Sequence, residues 1–193
     1  MYNMTNIVQI SDKTNGQVLR KKAHFIDIES IQTKEIQTII KDMISALEKQ
    51  SDGIAIAAPQ IGISKQIFIV SGKVLRQAEP KYKGEENYLI FINPEIIKSS
   101  KEKQEVEEGC LSVRWKYGKI KRAEKVSLRA YNEKGEKVER GASGLLAQVF
   151  QHETDHLHGV LFIDNAYDIE DMPPEGSETK SRGNMTQKNN NEQ

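Results

Sequence analysis

Cysteine is almost missing from these 193 residues, since Cys110 stands alone. A single thiol excludes an internal disulfide and suits a reducing compartment, and it raises the question of what that thiol does. Net charge is missing too, with 28 basic residues against 28 acidic ones. That balance gives no global pull towards nucleic acid or an anionic membrane. Long hydrophobic runs are lacking: the densest, such as Leu89–Ile92, are far too short to span a bilayer. Residues 1–30 hold no apolar stretch of signal-peptide length, and Asp12, Asp27 and Glu29 argue against an organellar transit peptide. No internal repeat is evident. These absences lead to the expectation of a cytoplasmic monomer with no membrane partner and no sequence-specific nucleic-acid partner.

What is present suits one domain with a real core and one tail. Residues 1–30 read as an irregular arm anchored by Ile7, Ile10, Val18 and Leu19. Thr33 to Gln50 is a helix, because Ile36, Ile39, Ile40, Met43, Ile44 and Leu47 make one apolar stripe. A small-residue segment, Gly53 to Gly62, precedes a strand over Gln66–Val70. Residues 71–87, rich in Lys, Glu and Gln, read as a long surface loop. Tyr88–Asn93 is a second strand, closed by Pro94, and Val126–Tyr131 with Glu136–Glu139 is a hairpin turning at Gly135. A second helix runs from Gly141 to His158 and stops at Gly159. The order helix, strands, helix predicts an α+β fold with small mixed or antiparallel sheets around a central helix. The catalytic domain is expected over 1–167, and the aperiodic segment 168–193 as a polar, disordered tail.

The second helix contains His152-Glu153-Thr154-Asp155-His156. Spacing of i, i+4 turns the two imidazoles only about 40° apart, so both reach one point in space. Glu153 sits beside them, placed to handle a proton on a metal-activated water. A catalytic metal needs a third protein ligand and one open position. Metallopeptidases often take that ligand from a later Glu or His. His158 lies on the wrong side of the helix, whereas Cys110, in Glu108-Gly109-Cys110-Leu111-Ser112, is the better candidate.

Three segments together resemble the signature motifs of the peptide deformylase family. Gly53-Ile54-Ala55-Ile56-Ala57-Ala58-Pro59-Gln60 is similar to G-φ-G-φ-A-A-x-Q, Glu108–Ser112 matches E-G-C-L-S, and Gln151–Gly159 matches Q-H-E-x-D-H-L-x-G. They stand in the family's order, within a similarity running from roughly Val18 to Asp164. The resemblance implies removal of the formyl group from the initiator methionine of new polypeptides. It implies that Cys110, His152 and His156 bind one divalent metal, usually Fe²⁺, with Zn²⁺, Ni²⁺ or Co²⁺ able to take its place. By the same resemblance Glu153 is the acid and base, and the Gln60 amide with the Leu111 N–H donates to the developing oxyanion. Glu108 is expected to pair with Arg122 behind the cysteine. The partners are formyl-Met ends of nascent chains, held as an added strand beside Ile54, with Leu145 and Val149 as candidate pocket walls. Contact with the ribosome is at most transient, since the tail lacks the basic amphipathic helix that some members use there. Two departures stand out. Ala55 replaces the second glycine of the first motif, which predicts weakened activity and a gain for Ala55→Gly. Val113-Arg114-Trp115-Lys116-Tyr117 replaces a stretch that often holds proline.

Overall fold

The computed structural model describes residues 6–78 and 87–173. The expected disorder beyond 173 and part of the 71–87 loop lie outside the described residues. Helix α1 (Lys34–Glu48) turns Ile36, Ile39, Ile40, Met43 and Leu47 inwards, as their spacing requires. Strands β1 (Ala55–Ala57) and β2 (Ile67–Ser71) follow. Next come helix α2 (Gly72–Ala78) and strands β3 (Tyr88–Ser99), β4 (Lys103–Cys110), β5 (Val113–Ala123), β6 (Lys125–Tyr131) and β7 (Lys137–Ser143). Helix α3 (Gly144–Leu157) and strand β8 (Tyr167–Asp171) complete the described chain. The α+β expectation holds.

The strands form two antiparallel sheets, one ordered β1-β2-β3-β6-β7 and one ordered β4-β5-β8. Side chains alternate across β2, and each face of the larger sheet meets a helix. Phe68 and Val70 face α3 with Phe91 and Phe150, while Ile67 and Ile69 face α1 with Ile56 and Ile92. The Phe68, Phe91 and Phe150 rings lie 4.9 to 5.9 Å apart, a tilted cluster on the α3 side. Helix α3 is therefore the centre of the molecule, clamped to a sheet whose strand β2 is buried on both faces.

Several elements differ from the sequence expectation. Within residues 71–87, α2 buries Val74 and Leu75, an apolar pair too short to show a helical stripe among polar neighbours. Strand β3 does not stop at Pro94. Its register slips between Ile92 and Glu95, and Asn93 adopts φ 50°, so proline sits in a bulge where no ladder donor is needed. The Asn93 side chain bonds both the N–H and the carbonyl of Ile26, which holds that irregularity from outside the sheet. Helix α3 starts at Gly144 because Gly141–Ser143 pair with β6. Its stop is as expected: Gly159 has φ 76°, and a Cβ there would fall 2.7 Å from the Arg20 carbonyl carbon. Strands β4 and β5 were not foreseen. Lys116 pairs with Asp171 and Tyr117 with Glu170, so Tyr167–Asp171 forms the third strand of the smaller sheet.

Candidate metal centre

Three elements converge under one cleft. Helix α3 supplies His152 and His156, the end of β4 supplies Cys110, and the 3-10 turn after β1 supplies Gln60. The β4–β5 register slips after Gly109, so that Cys110 pairs with Val113 across a tight turn. Gly109 is required by close approach: a Cβ there would lie 2.6 Å from the Tyr117 ring. The Cys110 Sγ and one nitrogen from each histidine all lie within 4.8 Å of one another. Cys110 Sγ is 3.2 Å from His156 Nε2.

These donors fit a divalent transition metal. Metal–sulfur bonds of roughly 2.3 Å and metal–nitrogen bonds of roughly 2.0–2.1 Å place tetrahedral ligand atoms about 3.3–3.6 Å apart. The Cys110–His156 separation of 3.2 Å is already near that range, and no two of the three donors stand more than 4.8 Å apart. The thiol is also set to ionise. Burial alone would push Cys110 up, but the adjacent His156 and His152 overcome it and bring the thiol down to about 5. Burial likewise opposes charge on His152, yet its bonds to Cys110 and Glu108 hold it well above its ordinary value. An ionisable thiol beside two imidazole nitrogens is the donor chemistry that a divalent transition metal takes.

Behind the ligands runs a chain of charges. His152 Nδ1 is 2.8 Å from Glu108 Oε2, leaving its other nitrogen for the cluster. Arg122 forks onto Glu108 with Nε to Oε1 at 2.8 Å and Nη2 to Oε2 at 2.9 Å, and its Nη1 reaches Asp155 Oδ2 at 2.6 Å. Burial raises the Glu108 carboxyl, but His152 and Arg122 outweigh it and draw it down to about 2. The Glu108–Arg122 pairing was legible in the sequence. The contribution of Asp155 was not, although it is the fourth residue of the helix motif.

Glu153 behaves differently. Only 4% exposed, it leaves its Oε2 without a hydrogen-bond partner, and burial pushes it up to about 7 against the pull of His152 and His156. A carboxyl poised near neutrality can both take and return a proton. Gln60 is held in one orientation, because its Oε1 accepts from the Ala57 N–H at 2.8 Å while its Nε2 points at Cys110 Sγ, 3.6 Å away. Leu111 lines the cleft, and its carbonyl accepts from Gln9 Nε2 at 2.9 Å, a contact the sequence did not signal. His158 is exposed and bonds the Thr154 carbonyl, away from the cluster.

The cleft above these groups has a volume of about 290 Å³, and Ile54, Ala55, Leu145 and Val149 line it. Ala55 has a packing role as well as a place in the cleft. Its side chain is almost fully buried and belongs to the apolar cluster of Phe68, Val149 and Phe150. Removing the methyl therefore loosens β1 against α3 as well as widening the cleft. Ala55→Gly is expected to lower stability by about 0.5–1 kcal/mol, read as a drop in thermal midpoint. The gain in kcat/KM expected from the sequence is measured beside that loss; a fall in kcat/KM with metal content unchanged would show that the cleft is built around alanine.

Comparison with known proteins agrees with this geometry. The sequence profile of the polypeptide deformylase family matches residues 4–172. Peptide deformylase 2 of Clostridium acetobutylicum is 40% identical over 151 residues, covering 78% of this chain and 90% of that protein. The crystal structure of a peptide deformylase from Legionella pneumophila superposes with a TM-score of 0.71 at 34% identity, covering 84% of this chain and 86% of that one. A Met-Ala-Ser-bound peptide deformylase from Acinetobacter baumannii gives a TM-score of 0.70 at 32% identity, over 82% of this chain and 96% of the other. Profile, sequence and fold agree over the same region: the chain belongs to the peptide deformylase family, a family of metal-dependent hydrolases.

Proposed function

We propose that this chain removes the formyl group from the formyl-methionyl ends of newly made polypeptides and releases formate. The observation that carries this is Glu153, a buried carboxyl poised near neutrality beside a thiolate and two imidazoles at the floor of a cleft. Cys110, His152 and His156 hold one divalent ion, Fe²⁺ in the first instance, with Zn²⁺, Ni²⁺ or Co²⁺ able to use the same donors. Bound there, the ion supplies Lewis acidity and lowers the pKa of water towards neutrality.

The rest of the chemistry belongs to the protein. Glu153 accepts a proton from the attacking water and returns it to the amine as the C–N bond breaks. Gln60 Nε2 and the Leu111 N–H donate to the carbonyl oxygen as charge develops on it, each donor contributing about 2.7–4 kcal/mol to the transition state. Strand β1 lies at the edge of its sheet, so its outer backbone groups are open to a peptide added as a further strand. Leu145 and Val149, seven and three residues before His152 on α3, wall the space that receives the methionine side chain. Every proposed ligand and donor comes from one chain, so a monomer suffices. Its place of action is the cytoplasm, on chains that the ribosome is releasing.

Formate release from formyl-Met-Ala-Ser by protein loaded with iron under anaerobic conditions tests the reading. Turnover is expected; none with any of the four metals would overturn it. Metal content separates the ligands from the rest of the site. Cys110→Ser, His152→Ala and His156→Ala should each retain less metal after dialysis. Cobalt-loaded Cys110→Ser should also lose its thiolate charge-transfer band. A Cys110→Ser protein with parental cobalt affinity and spectrum would remove cysteine from the ligand set.

A further inference from the structure

The mouth of the cleft is spanned by a residue that the reaction does not use. Arg114 stands at the start of β5, in the smaller sheet, just past the turn that carries Cys110. Its guanidinium crosses to the segment preceding β1, with Nη1 2.7 Å from Asp52 Oδ2 and Nη2 2.5 Å from Gln50 Oε1. Asp52, Gly53 and Ile54 form one lip of the cleft, and Arg114, Trp115 and Lys116 belong to the other. One lip leads into the larger sheet and the other opens β5 of the smaller one, and Arg114 ties them together.

The Arg114 lip is itself held rigidly. Trp115 has φ 64°, a left-handed conformation that a bulky residue rarely adopts. Its carbonyl accepts from the Met172 N–H at 2.7 Å, and Lys116 pairs with Asp171, so β8 braces the segment from behind. Trp115 nonetheless stays 41% exposed, with the Arg114 guanidinium 5.4 Å from the centroid of its ring. A strained backbone that presents an aromatic face at a cleft mouth is arranged for a ligand, whereas an exposed ion pair by itself adds little to folding.

We propose that Arg114 is a specificity-determining residue that fixes the wall, faced by Trp115, against which the peptide lies beyond its methionine. The proposal rests on the deformylase reading above. A peptide whose first residue sits by Gln60 and Cys110, and which runs beside Ala55, Ile54 and Gly53, advances roughly 3.3 Å per residue. It comes level with Asp52 at about its third residue. The enzyme should accordingly favour peptides long enough to reach that wall, and the preference should depend on the Arg114 tie.

The test compares formyl-Met amide with formyl-Met-Ala-Ser on the metal-loaded full chain. In Arg114→Ala, the ratio of kcat/KM for the tripeptide over the amide should fall about fivefold or more, mainly through KM on the tripeptide. Asp52→Ala should reproduce the shift. Arg114→Lys, which can keep the charge but not the two-point fork, should fall between. Thermal midpoints of the three variants report that the fold is intact. An unchanged ratio in Arg114→Ala, or equal losses on both substrates, would overturn the assignment while leaving the deformylase reading in place. Failure of the parent protein on both substrates would instead remove that reading, and this one with it.

Discussion

Glu153→Gln is expected to lower formate release by about 10²-fold or more at saturating metal, with little change in metal content or thermal midpoint. The two side chains have nearly the same shape, so packing around residue 153 is conserved. What glutamine lacks is a proton affinity in the working range. In the parent, burial raises the carboxyl to about 7 and leaves Oε2 without a partner, facing the space above the ligands. In the proposed reaction that carboxyl passes a proton from water to the departing amine. The amide still fills the volume and can still hydrogen-bond water, so binding of substrate should persist and the loss should fall on kcat. The metal should remain because its three ligands are untouched. Near-parental kcat in the metal-replete variant would end the acid–base assignment.

Arg122→Met is expected to destabilise the fold by about 3–5 kcal/mol. Arg122 is buried and gives all of its inward-facing donors to Glu108 and Asp155. Without it, the Glu108 carboxylate remains buried with only His152 to answer its charge. For a chain of this size such a loss corresponds to a fall of about 10 °C or more in thermal midpoint. Metal affinity should fall as well, by about 10–100-fold, because Glu108 orients His152 through Nδ1. The double variant Glu108→Leu/Arg122→Met separates the two effects. Removing both charges should recover part of the stability and none of the metal affinity. A midpoint within 2 °C of the parent in Arg122→Met would mean that the buried network contributes nothing to folding.

Helix α1 and the convergence of His152 and His156 on one point were legible because each rests on short-range spacing, whereas Cys110 could be read only through its motif. The Ile36, Ile39, Ile40, Met43 and Leu47 stripe specifies α1 without knowledge of its partner. The i, i+4 histidines specify a common point on α3 in the same way. Strand β4 was hidden because its residues alternate between charge and more charge. It is held by cross-strand pairs such as Glu105 opposite Lys121 and Glu107 opposite Lys119, with Val106 opposite Ile120. Strand β8 is exposed at every position and exists only because β5 offers an edge. The contact of Asp155 with Arg122 spans 33 positions, a separation that no local pattern encodes. The direction of the Ala55 methyl was equally hidden, since it depends on which face of β1 meets α3.

Strand β8 also sets an order of events during synthesis. The hairpin that bears Cys110 finds its outer brace 55 residues later, where Lys116 meets Asp171, and its partner histidine 46 residues later. Both contacts need segments that leave the ribosome after the hairpin itself. Local helices such as α1 can form early, but the centre that would acquire metal is closed by non-local pairing and must be among the last parts of the domain to mature. Because α3 carries both the histidines and Phe150 of the core, the core and the metal centre close in the same late step.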